Sequence, residues 1–426
     1  MTIDLRLGAI VLASIAAVAV TSRADELGPP PSPEAGSAVA PLLGDGSGSA
    51  GSAAPIIPSP EPPISEPKPK PSYTLAGSVQ LDYLAVPTAA DARAITLDGA
   101  TAELSLRMTK DFTSNTSATL KVCFACHGFE AAMGFVEVRA ADELHVRVGR
   151  LTPSFGSFPQ RHDPANHTTS DKPLPYDMGR MLRRNEWDEG ILPAPWVDNG
   201  LEIGGTHFWT GGQIDYAVFA VSGPKGSPDA ADFDFTLSRA PEQYYVDNNS
   251  EPVFGGRIAL ALDLSADLAL TLGASMMVGH YDPARDLGFA IVGADAVLRL
   301  GRNYVRAEYL IRRTEMSLGD DPATRFKYGP AADGRFDDFF VKEGFYVEGE
   351  VPIGRLSLLA RWDGLRRLGN VLATSALSSS SKVLRYTGGI GLRLMSKLQL
   401  KASVELYQFD DFPNEISTHL GVATQF

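Results

Sequence analysis

The sequence predicts an all-β fold, a closed transmembrane antiparallel β-barrel of about 16 strands, and three observations predict it. From Tyr73 to Phe426, apolar and polar residues alternate over runs of about eight to twelve positions, broken by short Gly, Asp, Asn and Pro clusters. These runs reach the roughly 9 to 11 residues that a tilted strand needs to cross a bilayer. Arg, Lys, Glu and Asp recur in mid-run on one face only, which a sandwich with a dry core would seldom need.

The chain opens with Arg6, an apolar run from Leu7 to Val20 and then Ser22-Arg23-Ala24. A charged start, an apolar middle and small residues at a cleavage point make residues 1–24 an export signal. The run of about 14 apolar residues is too short for a membrane helix, and no later stretch approaches the roughly 20 required. The whole chain carries 51 acidic and 38 basic residues. The signal takes one acid (Asp4) and two bases (Arg6, Arg23), leaving a net charge of about −14, which argues against nucleic acid as a partner. Residues 25–72 are dominated by Pro, Ala, Gly and Ser, densest at Pro58 to Pro63 and Pro67 to Pro71. Such a stretch lacks the apolar surface to offset the entropy of ordering, so it reads as an extended linker.

The barrel region, 73–426, shows its pattern most plainly from Leu398 to Tyr407, where Leu398, Leu400, Ala402, Val404 and Leu406 face one way. Gln399, Lys401, Ser403 and Glu405 face the other. The pattern recurs in Glu103 to Met108, in Val305 to Arg312, in Phe345 to Val351 and in Leu356 to Asp363. The last strand closes on Phe426, which resembles the C-terminal aromatic of bacterial outer-membrane barrels. The stretch Leu144-His-Val-Arg-Val-Gly-Arg-Leu-Thr-Pro-Ser-Phe-Gly156, with Phe135 to Arg139 before it, resembles porins of the phosphate-selective O and P type. That resemblance implies a 16-stranded outer-membrane porin with its third outer loop folded into the lumen, and often a homotrimer. The lysine- and arginine-rich ladder expected for phosphate selectivity is not evident, and the lumen charges read as mixed.

Both cysteines fall in Cys123-Phe-Ala-Cys-His127. Two thiols at this spacing can each add to a vinyl group of a porphyrin, and His127 can then reach the iron, so the motif reads as attachment of one c-type haem. The competing readings are a Cys123–Cys126 disulfide in an exported protein, or a metal or redox pair. With both termini periplasmic, odd strands run outward, so Ser117 to Phe124 is the third strand and Ala131 to Arg139 the fourth. The motif then lies in an outer turn, with Ala118, Leu120 and Val122 facing lipid and Thr119, Lys121 and Cys123 facing the lumen.

About 45 residues separate the strand ending near Leu151 from the one beginning near Gly200, and a loop of that length is usually functional. It offers His162, His167, Met178 and Met181 as candidate sixth ligands, with Met133 as a further candidate on the fourth strand. Tyr176 to Trp187 is compatible with a helical turn or two. Arg180, Arg183 and Arg184 along it would constrict the pore and bias it towards anions if the loop enters the lumen. The alternative is a surface lid held by ion pairs through Asp163, Asp171, Asp177, Glu186 and Asp188.

Two functions follow. One is an outer-membrane porin carrying one covalent haem near its mouth, for electron transfer or redox sensing with partner cytochromes, and passing small hydrophilic solutes or anions. The other is a plain diffusion porin with a Cys123–Cys126 disulfide. No Ser-His-Asp spacing, HExxH or isolated carboxylate pair points to an enzyme.

Overall fold

Sixteen strands close into one antiparallel barrel. The computed structural model describes residues 72–85, 99–125, 128–177, 187, 190–226, 235–239 and 244–426. In chain order the strands are β1 Tyr73–Ala85, β2 Gly99–Asp111, β3 Thr116–Ala125, β4 Gly128–Ala141, β5 Leu144–Leu151 and β6 Asp198–Trp209. They continue with β7 Gly212–Val221, β8 Val253–Ser265, β9 Leu268–His280, β10 Gly288–Leu300 and β11 Asn303–Glu315. The last five are β12 Phe339–Ile353, β13 Leu356–Leu368, β14 Ser380–Met395, β15 Leu398–Phe409 and β16 Glu415–Gln425. Closure is made by β1 against β16, from Ser78 opposite Gln425 to Ala85 opposite Thr418. Phe426 continues it, exchanging backbone bonds with Gly77 at 3.0 and 3.1 Å.

Each strand turns an apolar row outward because the side-chain period is two. Leu81, Leu120, Val148, Val218, Ile258, Met276, Val292, Ile390, Val404 and Leu420 are all exposed on the outer wall. An apolar belt of this extent around a closed barrel suits hydrocarbon rather than water. Among the described residues no helix is long and apolar enough to cross a membrane.

Turns from even to odd strands are short, such as Asp142-Glu143 and Lys397 beside Ser396, while the other end carries the long connections after β5, β7 and β11. The β3–β4 connection is the exception at that end, with two residues between Ala125 and Gly128. β3 and β4 therefore begin and end close to the expected positions, and Cys123 does face the lumen opposite Glu130. A bulge at Ala132 shifts the β3–β4 register just below.

The inner face departs from the expected all-polar lining. Towards the long-loop end Phe219, Val253, Met277, Ile291, Leu310, Leu365, Val383 and Phe409 turn inward and are buried. Their partners are Phe155, Phe158, Leu174, Tyr176 and Ile191 of the β5–β6 connection, residues 152–197, so the lumen holds a dry core of its own. Alternation reports only that two faces differ. It cannot show that an apolar residue on the wet face will be covered by a loop.

The expected signal (1–24) and most of the linker lie outside the described residues, as do Cys126, His127, Met178, Arg180, Met181, Arg183, Arg184, Glu186 and Asp188.

Candidate functional site: the loop-filled lumen

The β5–β6 connection crosses the lumen, and backbone donors and acceptors hold it on wall side chains, as a buried loop requires. Ser154 donates its N–H to Glu202 of β6 at 2.6 Å, and Gly156 donates to Ser275 of β9 at 2.9 Å. Glu308 of β11 then accepts from the Ser157 N–H at 2.9 Å, the Phe158 N–H at 3.3 Å, the Tyr176 hydroxyl at 2.5 Å and the Tyr346 hydroxyl at 3.1 Å. Burial, with Glu308 beside it, pushes the Tyr176 hydroxyl well above its ordinary range. Gly156 sits at φ +65°, and a Cβ there would meet the Tyr176 hydroxyl and Glu308.

Further along, the Lys401 ammonium of β15 donates to the Pro164 carbonyl at 2.5 Å, and the Leu174 N–H donates to Asp363 of β13 at 2.9 Å. Asp171 enters a fully buried charge cluster, pairing with Arg361 of β13 and, at 3.0 Å, with Arg385 of β14. Arg385 also pairs with Asp363 and, at 3.7 Å, with Glu405 of β15. His419 of β16 closes the cluster, its Nδ1 3.2 Å from Asp82 and its Nε2 3.2 Å from Glu405. With a carboxylate on each nitrogen, His419 has no free nitrogen to activate a nucleophile, and the cluster works as a lock between loop and wall. The loop is thus inside the barrel and held by ion pairs at once, two features the sequence had set against each other.

The charge that meets water in the lumen is read from exposure. Arg147 of β5 pairs with Glu202, their side chains 18 % and 0 % exposed. Arg257 of β8 pairs with Asp295 of β10 at 13 % and 1 %. Arg306 of β11 pairs with Glu348 of β12 at 3.1 Å, 15 % and 4 % exposed. In each of these three pairs the guanidinium is the more exposed member, although Arg306 also pairs at 2.8 Å with Glu350, which is 22 % exposed. From sequence Arg306 falls on the polar face of the run from Val305 to Arg312, but none of these pairings can be read there, because the acid partners stand on other strands.

Of the haem candidates, Cys123 is a free thiol among the described residues, and Cys126 lies outside them. Its cross-strand neighbours are Ser105 of β2 and Glu130 of β4. His162 lies on the same side of the lumen, its Nε2 3.4 Å from the Lys121 ammonium, while its Nδ1 donates to the Pro159 carbonyl at 2.6 Å. Burial, then the Lys121 charge, lowers the His162 imidazole to about 4. His167 stacks on Phe158 with ring centroids 5.1 Å apart, and its buried Nε2 has no hydrogen-bond partner. Burial and the Arg161 charge hold it well below the ordinary histidine range. The Met133 sulfur accepts from the Thr152 hydroxyl at 3.5 Å. The structure brings His162 and Met133 to Lys121 on the Cys123 face, and places His167 in the aromatic stack instead.

No family model matches this chain, and no curated protein matches its sequence. Its fold matches solved porin structures. The anion-selective porin from Comamonas acidovorans superposes with a TM-score of 0.52 at 12 % identity, over 84 % of this chain and 100 % of that one. The outer membrane channel DcaP of Acinetobacter baumannii gives 0.53 at 12 % identity, over 84 % of this chain and 97 % of that one. Salmonella typhi OmpF, in complex with daunomycin, gives 0.52 at 10 % identity, over 83 % and 97 %. The phosphate-selective type is not among the resemblances that these structures establish. What they share with this chain is the porin barrel, and that is the fold this chain has.

Proposed function

We propose that this chain is a porin of a Gram-negative outer membrane that passes small anions and other small hydrophilic solutes around its inward-folded loop. The observation that carries the reading is the exposure order in three of the lumen ion pairs, with Arg147, Arg257 and Arg306 wetter than Glu202, Asp295 and Glu348. Charge rings at a constriction set which ion is enriched there. The likeness in fold to an anion-selective porin agrees with it. The resemblance to porins also brings assembly as a homotrimer, which cross-linking in membranes tests. Purified protein in a planar bilayer under a KCl gradient should give discrete channels whose reversal potential lies on the chloride side. Cation preference, or a folded barrel that conducts nothing, ends this reading.

A second reading adds one c-type haem at the outer mouth, held through Cys123, Cys126 and His127, and it is supported by the free, lumen-facing Cys123 thiol. Such a haem supplies one-electron chemistry when bound. His162, Met133 or another group of the loop would complete the iron's coordination, and partner cytochromes would be needed because one haem cannot span a hydrocarbon layer of roughly 30 Å. Protein made in a host that matures cytochromes c should stay red and stain for peroxidase after denaturing electrophoresis with reductant. A colourless band removes the haem and leaves the porin.

A further inference from the structure

Arg107 of β2 and Lys121 of β3 are direct cross-strand partners on the lumen face. The two cations differ in what meets them. Lys121 is 3 % exposed and donates to Asp163 of the long loop at 2.5 Å, while the Asp163 carboxylate remains 39 % exposed. Arg107 is exposed, and among the described residues no hydrogen-bond or ion-pair partner holds it. Asp163 feels His162, Lys121 and Arg107 together, and these outweigh burial to hold its carboxyl below the ordinary range. His162 offers its Nε2 lone pair to the Lys121 ammonium, which steadies that ammonium without adding charge. The other ionised groups near this corner, Glu103 and Glu130, stand around Cys123, towards the long-loop end.

A carboxylate held by one cation, within the field of a second and still wetted by the lumen, is the pose that a dissolved carboxylate would adopt there. We infer that Arg107 and Lys121 form an anion-binding site for small carboxylates and related oxyanions, and that Asp163 fills it in cis as a tethered stand-in which an arriving anion displaces. This rests on the anion-porin reading. Asp163 sits on the loop between His162 and Pro164, so its carboxylate swings away by a side-chain rotation while the Lys401 bond to the Pro164 carbonyl keeps the backbone in place. The free Arg107 gives the incoming anion a first contact before Lys121 is released.

The test is block of single-channel chloride current by millimolar citrate added on the long-loop side, using the full chain in a planar bilayer. Asp163→Asn empties the site, so citrate should block at severalfold lower concentration and the unblocked chloride conductance should rise. Arg107→Gln and Lys121→Gln should each weaken the block severalfold. Arg107→Gln removes no contact of the long loop, so it carries the test alone if Asp163→Asn fails to fold. Unchanged or weaker block in a folded Asp163→Asn channel overturns the stand-in role, and wild-type block in both cation variants overturns the site. A cation-selective wild-type channel sinks the anion-porin reading itself, whereas anion selectivity with no change in any variant sinks only this site.

Discussion

Arg385 of β14 and Asp171 of the long loop meet at 3.0 Å with neither side chain exposed. A buried ion pair of this kind is weak evidence for stability in itself, since desolvation offsets its attraction, yet breaking it strands a charge. Asp171 is also the partner of Arg361, so one loop carboxylate serves two buried guanidinium ions.

Asp171→Asn should therefore cost about 3 kcal/mol of loop attachment, the low end for removing one member of a buried pair. The barrel wall keeps its own ladder, so the loss falls on the loop. The expected readout is a noisier channel with a higher mean conductance and a lower midpoint for loop release in hydrogen exchange, while the heat-modifiable mobility of the barrel is retained. A quiet channel of wild-type conductance would show that the cluster does not hold the loop.

The strands and the presence of a functional loop were legible in the sequence because each rests on a one-dimensional signal, whereas the loop's entry into the lumen was implied only by the resemblance to porins. Period-two alternation marks a strand, and a connection of about 45 residues in an otherwise tight fold marks a functional loop. Parity then put Thr119, Lys121 and Cys123 on the lumen face, where they are. What was not legible is which charges meet. Asp171 and Arg385, or Arg257 and Asp295, are brought together by closure of the barrel and entry of the loop, and no spacing in the chain encodes that. The buried apolar lining, such as Val253, Met277 and Ile291, was missed for the same reason. Its covering residues lie on a connection far away in sequence.

Acid should loosen the loop through His162. Its imidazole is held at about 4 by burial and Lys121, against an unfolded value of about 6.5. The released loop therefore takes up a proton before the docked one does, and docking is complete above about 6.5 and lost progressively as pH falls towards 4. The difference amounts to about 3 kcal/mol at most. His167 shifts the same way, and Asp163, depressed in the docked state, adds a further loss below its ordinary range. Channel recordings at pH 7.5 and about 5 should show a noisier, less constricted pore in acid, and His162→Gln should flatten the response. A pore that narrows on acidification contradicts this linkage.

Gly156 offers a test of the loop path that leaves every charge in place. Its φ of +65° suits glycine, and a Cβ would lie 2.2 Å from the Tyr176 hydroxyl and 2.4 Å from a Glu308 oxygen in the native geometry. Both contacts are under any real approach of a methyl group, so Gly156→Ala must displace Tyr176 or the loop itself. Backbone strain at a positive φ adds about 1 kcal/mol to the cost of that displacement. Tyr176 stacks on Phe158 at 5.1 Å between centroids, so the shift propagates into the dry core of the lumen. The variant should fold as a barrel, with unchanged ion selectivity because the Arg147, Arg257 and Arg306 pairs are untouched. Its loop should exchange amide hydrogens faster from Ser157 to Tyr176. Exchange at the wild-type rate there would mean that the loop does not pass Glu308 as described.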